Sequence, residues 1–256
     1  MNSRDDIQDW NRIASRYAES VEDNGDRCYA DLKPVFWNLL GDVRGFSVLD
    51  LGCGQGWLSG ELIRRGAIVH GIDGSDALVA RARELFPDGC FSVYDLAAGL
   101  PRIDETFDLV VSHMVVMDIP TIDRLFHDVG LSLKPGGRFV LTFPHPCFFS
   151  HKSQPDADGA WFKKVTGYLR ERNWRIDSFG GHTHYHRSLE FYITRLVQAG
   201  LAVTRLHEPP HQAQSPRVPV DFARDFPVFI WIEAGKQSKP PAFDAASSQT
   251  KHVTTP

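Results

Sequence analysis

Short apolar runs alternate with stretches of helical period through the middle of the chain. Ser47–Leu51, Ala67–Asp73, Cys90–Tyr94, Phe107–Ser112 and Arg138–Phe143 read as strands. Leu58–Arg65, Asp76–Phe86 and Thr121–Leu133 between them read as helices, with Ser75 or Asp76 a plausible cap for the second. Near-continuous apolar strands such as Leu109-Val110-Val111 suit a sheet covered on both faces. Strands alternating with helices imply βαβ units, hence an α/β, doubly wound and mainly parallel sheet with helices on both faces. A further helix is expected over Ser188–Ala199, then strands over Leu201–His207 and Val228–Glu233. No helix-like segment separates those last two. Pro209, Pro210, Pro216, Pro219 and Pro227 there suit an irregular loop. The last strand should therefore run antiparallel beside its neighbours in a seven-stranded sheet.

Before this core, Trp10, Ile13, Ala14 and Tyr17 fall on one helical face, and a second apolar stretch runs from Val35 to Leu40. Residues 1–45 are read as an N-terminal helical lid and 46–235 as the main domain. Residues 144–186 break the rhythm and are dense in Pro, His, Trp and Phe. Such a long excursion after the fifth strand is expected to be functional, an inserted lid segment. Residues 236–256 are polar, rich in Pro, Ser and Thr, and expected to be a disordered tail.

Composition narrows the class. Hydrophobic residues are 42% and charged residues 23%, enough apolar material for a sizeable core. A net charge of −4 gives no general pull toward nucleic acid. Cys28, Cys53, Cys90 and Cys147 form no C-x-x-C pair and read as free thiols. The polar, acidic N-terminus is unlike a signal peptide, and no apolar run approaches a membrane span. The expected location is the cytoplasm, with no membrane partner. The oligomeric state stays open.

The most informative stretch is LDLGCGQG, residues 49–56. A strand ends in Gly-x-Gly-x-Gly and a helix follows, the place where open α/β sheets bind ligands. A dinucleotide fingerprint wants a third glycine where Trp57 stands, which weakens a nicotinamide reading. Asp50 precedes the loop and suits a cationic ligand better than a diphosphate; a loop-capping acid is the plainer alternative. Asp73 ends the second strand, placed to accept ribose hydroxyls. Asp95 ends the third, placed to meet an adenine amino group with Leu96 over the ring. One acid for an amino acid part, one for ribose and one for adenine fits S-adenosylmethionine.

LDLGCGQG, GIDGS, YDL, FDLVVSHMVVMDIP and LKPGGRFVLTF stand in the order and spacing of one family. On these residues the chain resembles the class I S-adenosylmethionine-dependent methyltransferases, closely over 46–143 and loosely over 10–235. MVVMDIP, FPHPCF, Tyr185-His186-Arg187-Ser188-Leu189 and Glu208-Pro209 resemble a bacterial branch acting on small molecules. The resemblance implies cofactor contacts from Tyr17, Asp50, Gly52, Cys53, Gly54, Gln55, Asp73, Gly74, Ser75, Asp95, Leu96 and Ser112. It implies a substrate pocket with Met117, Trp161, Tyr185 and His186, built in part from the excursion.

Methyl transfer needs an in-line approach and exclusion of water; a base is needed for an alcohol but not for a neutral amine. His113 follows the fourth strand and His145 the fifth, and either imidazole could take a proton. Equally, His113 could only shape the pocket and His145 only fix a proline turn. His182, His184 and His186 would share one face of a strand; a structural or pocket role is expected rather than a metal site. Trp161, Phe162, Trp174 and Tyr185 could line a pocket or pack the excursion onto the core. The expected function is methylation of a small-molecule acceptor. The alternatives are a tRNA or protein methyltransferase and a non-catalytic S-adenosylmethionine-binding module. Lys163-Lys164 and Arg170-Glu171-Arg172 are the best phosphate-tracking candidates, and nearby acids dilute them.

Overall fold

A computed structural model describes residues 3–24, 33–210 and 218–236. Its elements run α1 (Ser3–Asn24), α2 (Lys33–Leu40), β1 (Ser47–Leu51), α3 (Trp57–Arg64), β2 (Ile68–Asp73), α4 (Asp76–Leu85), β3 (Cys90–Val93), β4 (Phe107–His113), α5 (Asp123–Ser132) and β5 (Leu133–Pro144). There follow β6 (Ser153–Pro155), β7 (Trp161–Lys163), β8 (Arg172–Ile176), β9 (His182–His186), α6 (Leu189–Gln198), β10 (Leu201–His207), α7 (Val220–Arg224) and β11 (Phe229–Lys236). Seven strands form one sheet in the order β10-β11-β5-β4-β1-β2-β3. β1 to β5 are mutually parallel, and β11 runs antiparallel to both β5 and β10.

The pattern of apolar residues accounts for the layering. Leu49, Leu51 and Val110 face one layer with Phe126, Phe139 and Leu196. Val48, Leu109 and Val111 face the other, with Phe36, Leu40, Leu58 and Trp231. Central strands bury both faces, so each fully buried Leu or Phe contributes about 1.5–3 kcal/mol relative to exposure. Ser75 caps α4 by accepting from the Leu78 amide, and Ser188 caps α6 by accepting from the Phe191 amide.

Three details differ from the sequence expectation. β5 starts at Leu133, so the Lys134–Gly137 turn lies within the strand's span, where the register to β4 shifts between Phe107 and Leu109. The proline-rich segment before β11 holds the short helix α7. The excursion after β5 is built as two antiparallel ribbons, β6–β7 and β8–β9. No helix among the described residues is long and apolar enough to cross a membrane. Cys28 and Pro216 lie outside the described residues, as does the tail expected over 236–256 apart from Lys236, which ends β11.

Candidate functional site

The turn after β1 is built by backbone. Gly52 and Gly54 have φ of 69° and 54°, a region that glycine enters without steric cost. A Cβ on Gly52 would stand 2.3 Å from Val115 Cγ2, so the loop passes directly under the segment that follows β4. The Gly52 amide donates to the Ile72 carbonyl, and the Gly54 amide donates to Asp73 Oδ2 at 2.9 Å. Asp73 Oδ1 accepts from the Ser75 amide at 2.8 Å. Burial raises Asp73 above the ordinary carboxylate range, and the amides of Ser75, Gly54 and Gly74 oppose that shift.

α1 lies across these strand-end loops. Ser3 Oγ donates to Asp95 Oδ2 at 2.5 Å, and Asp95 Oδ1 caps a 3-10 turn over Leu96–Ala98 by accepting from the Ala97 amide. Ser75 Oγ donates to Asn11 Oδ1 at 2.5 Å, Ile7 packs over Gly74, and Tyr17 sits over Gly54. On its other side α1 meets the β8–β9 ribbon. Tyr185 Oη donates to Asp6 Oδ2 at 2.7 Å, and Arg175 pairs with Asp9 at 2.6 Å. Arg12 donates to the Gly180 and Gly181 carbonyls.

Between them lies a cavity of about 430 Å³. One end is walled by Gly52, Gly54, Asp73, Gly74, Asp95 and Leu96, at the carboxyl ends of β1, β2 and β3. The other is walled by Met117, Asp118, Phe149, Phe179, His182 and His184. Met114 and Phe179, with φ of 58° and 57°, are the positive-φ residues other than glycine among those described, and both line this cavity. Such backbone strain persists where surrounding structure holds it, typically at functional sites. His113 also lines it, with Nδ1 2.6 Å from Thr142 Oγ1 and its ring edge-on to Trp57 and Phe36. Burial, with a further push from His182, His186 and Arg187, takes His184 down to about 3, so its imidazole is neutral at physiological pH.

Of the residues expected in the site, Tyr17, Gly52, Gly54, Asp73, Gly74, Ser75, Asp95, Leu96, His113 and Met117 line this cavity. Others lie elsewhere. Asp50 is buried beneath the loop, where Oδ2 accepts from Ser59 Oγ at 2.6 Å and braces α3. Desolvation lifts its pKa to about 7. Cys53 packs against Val79, Ala82 and Phe91, and burial pushes its thiol up. Gln55 and Ser112 are buried behind the wall.

His145 is also behind the wall. Its Nδ1 accepts from the Cys147 amide and its Nε2 meets Glu208 Oε1 at 2.7 Å, so both ring nitrogens are engaged. The bonding assigns the Nε2–H tautomer, with no lone pair facing the cavity. Its role in this geometry is to tie FPHPCF to Glu208-Pro209. Trp161 packs on Phe222, far along the β6–β7 ribbon. Tyr185 turns its hydroxyl to Asp6, and His186 Nε2 meets the Tyr168 carbonyl at 2.8 Å.

Asp6, Trp10, Asp118 and Phe179 also line the cavity and are not assigned to the site from sequence; His182 and His184, expected in a structural or pocket role, line it as well. Trp10 shares the apolar face already seen with Tyr17, and Asp118 sits in MVVMDIP. Nothing in the sequence pairs Asp6 with a residue 179 positions away.

A parallel sheet with a glycine loop and an acid ending each of its next two strands defines the class: a Rossmann-like, nucleoside-binding α/β fold. Known proteins narrow it. A methyltransferase domain model matches residues 48–137. An S-adenosylmethionine-dependent methyltransferase of Mesorhizobium loti superposes with a TM-score of 0.69 at 28% identity, covering 80% of this chain and 97% of that one. An uncharacterized Haemophilus influenzae protein is 28% identical over 232 residues, 81% of this chain and 87% of its own. A demethylmenaquinone methyltransferase of Tropheryma whipplei is 31% identical over 148 residues, 56% of this chain and 58% of that protein. The chain is a class I S-adenosylmethionine-dependent methyltransferase, with S-adenosylmethionine as its cofactor.

Proposed function

We propose that this enzyme methylates a small organic molecule bound between the glycine loop and the wall made by α1 and the β8–β9 ribbon. The observation that carries this is the cavity's continuity: one cleft runs from Gly52, Asp73 and Asp95 to Phe179 and His184. On this reading the Gly52–Gly54 turn holds the amino acid part of the cofactor. Asp73 accepts from the ribose hydroxyls, Asp95 meets the adenine amino group, and Leu96 covers the ring. Bound there, the cofactor supplies an electrophilic methyl group on a sulfonium. Trp10, Tyr17 and Phe179 exclude water from the far end. His113, His182 and His184 are the imidazoles that line the cavity; His184, held down at about 3, is too weak a base to take an acceptor proton near neutral pH.

A small acceptor is further supported by the Tropheryma whipplei relative, whose name gives demethylmenaquinone as its own acceptor. The test has two stages. Calorimetry with S-adenosylhomocysteine should show a single saturable site. A mixed small-molecule library with S-adenosylmethionine should then give products one methyl group heavier. Product formed only on tRNA or protein would replace this reading with a macromolecular one. Binding with no turnover on any acceptor would favour a binding module.

A further inference from the structure

We propose that the acceptor carries a protonated nitrogen, held by the Asp118 and Asp6 carboxylates inside a ring of Trp10, Tyr17, Phe179 and His182. This rests on the small-molecule reading above and names the chemical class of its substrate. The ring is continuous. Trp10 meets Tyr17 edge-on at 5.6 Å, Tyr17 meets Phe179 edge-on at 5.2 Å, Phe179 stacks on His182 at 6.4 Å, and His182 returns to Trp10 at 4.8 Å. All four line the cavity. Aromatic rings beside a cavity attract a cation that reaches a ring face, through their quadrupoles.

The charges in the cavity point the same way. Asp6, Asp73, Asp95 and Asp118 line it, and among the described residues lining it there is no Lys or Arg. Asp73 and Asp95 are occupied by backbone amides and, on the reading above, by neutral cofactor groups. Asp6 takes the Tyr185 hydroxyl, a neutral donor. Asp118 is the residue left over. Its side chain is only 9% exposed, and its Oδ1 has no hydrogen-bond partner among the described residues. A buried carboxylate oxygen left unmet costs free energy until something meets it.

Neighbouring groups do not meet that need. His182 Nε2 stands 3.7 Å from Asp118 Oδ1, beyond bonding distance, and burial disfavours the charged form of His182. Arg187 lies behind the wall, donating to the Val116, Ile119 and Pro120 carbonyls, with its guanidinium 5.5 Å from the Tyr185 ring. Burial, then the Asp6 and Asp73 charges, raise Asp118 well above the ordinary carboxylate range. A cation arriving at Asp118 would ionise it, so binding should release protons. An anionic acceptor would meet the acidic lining with no Lys or Arg among the described lining residues to compensate it, and could not ionise Asp118 as a cation does.

Three probes that share an indole ring separate the possibilities: tryptamine, tryptophol and indole-3-acetate. Each is titrated calorimetrically into the enzyme saturated with S-adenosylhomocysteine, in two buffers of different ionisation enthalpy. Tryptamine should bind at least about tenfold more tightly than tryptophol, with proton release, and indole-3-acetate most weakly. Asp118→Asn should bring tryptamine to within about threefold of tryptophol and remove the proton release, with S-adenosylhomocysteine affinity and melting temperature unchanged. Asp6→Asn, a second variant for the case that Asp118→Asn does not fold, should halve the preference or more.

Equal or tighter binding of indole-3-acetate overturns the proposal. So does an unchanged tryptamine preference in a folded Asp118→Asn protein, or no saturable tryptamine binding up to about 10 mM. If Asp118→Asn weakens S-adenosylhomocysteine as much as tryptamine, the carboxylate serves the cofactor and the proposal falls. These results leave the methyl-transfer reading intact as long as S-adenosylhomocysteine binds and methylated products form on alcohols or acids.

Discussion

The two ends of the cavity are built in different ways. At the glycine-loop end the contacts are close in sequence and mostly involve backbone: Gly54 to Asp73, Asp73 to Ser75, Asp95 to Ala97. At the ribbon end the contacts are between side chains, or side chain and backbone, over long separations. Tyr185 reaches Asp6, Arg175 reaches Asp9, and Arg12 reaches Gly180 and Gly181. A backbone-built cradle tolerates few residue types at each turn, because φ, close approach and amide direction all constrain it. A wall of interlocking side chains can change its lining without changing the sheet. On the proposed reading the first end holds the cofactor and the second the acceptor.

The sharpest way to separate the ends is to remove α1, which bridges them. A chain lacking residues 1–20 should lose about 100-fold or more in turnover, because the cavity would open to water. Thermal melting should retain a cooperative transition of the sheet. Full activity in that chain would take α1 out of the site.

Within the backbone-built end, Gly52→Ala should have the next largest effect. The new methyl would collide with Val115 in a φ region that costs alanine about 1 kcal/mol or more, and S-adenosylhomocysteine affinity should fall about 100-fold. Affinity within a few-fold of the native protein would mean the loop and the Val115 segment part easily. Asp73→Ala should cost roughly 1–3 kcal/mol of the same affinity, since it frees the Gly54 and Ser75 amides as well as the ribose hydroxyls. Unchanged calorimetric binding with an intact fold would remove the ribose assignment.

Asp50 offers a pH test of the same end without touching the cavity. Its folded pKa of about 7 lies above the ordinary 3.8, so the folded chain holds the extra proton between those values. Stability is therefore lost as pH rises through that window. Asp50→Asn should raise stability at pH 8 by about 2 kcal/mol more than at pH 5, read by urea unfolding. An equal gain at both pH values would show Asp50 ionised throughout.

The smallest effect is expected at His145. His145→Ala should leave turnover of the folded enzyme within about threefold and its pH profile unshifted, because both ring nitrogens are bonded to protein. A lost limb in that profile would restore it as a base.

The legibility of the site follows the same division. Gly52, Asp73 and Asp95 could be read because each ends a strand recognisable from its own apolar run, and sheet topology brings strand ends together. Asp50 was only partly legible for a related reason. Its position before the loop is visible in sequence, but the Ser59 hydroxyl that claims it is seen only once α3 folds back beneath the loop. His145 drew attention as an imidazole after a strand, and its partner Glu208 lies 63 residues further on. His182 and His184 were visible as alternating histidines, yet their direction depended on where the ribbon docks. Asp6 had no signal: an acid in the first turn of a helix is ordinary.

By itself the sequence determined the layered sheet, its seven strands, the antiparallel last strand and the glycine turn at the end of the first. Each depends on local periodicity, turn chemistry and connection rules acting over tens of residues. Tertiary structure alone decided which side chains close the cavity and which buried carboxylate is left without a partner. Those outcomes depend on α1 and the β8–β9 ribbon meeting across more than 160 residues of chain. No local pattern encodes that meeting, because it is set by how two amphipathic surfaces fit once the sheet beneath them exists.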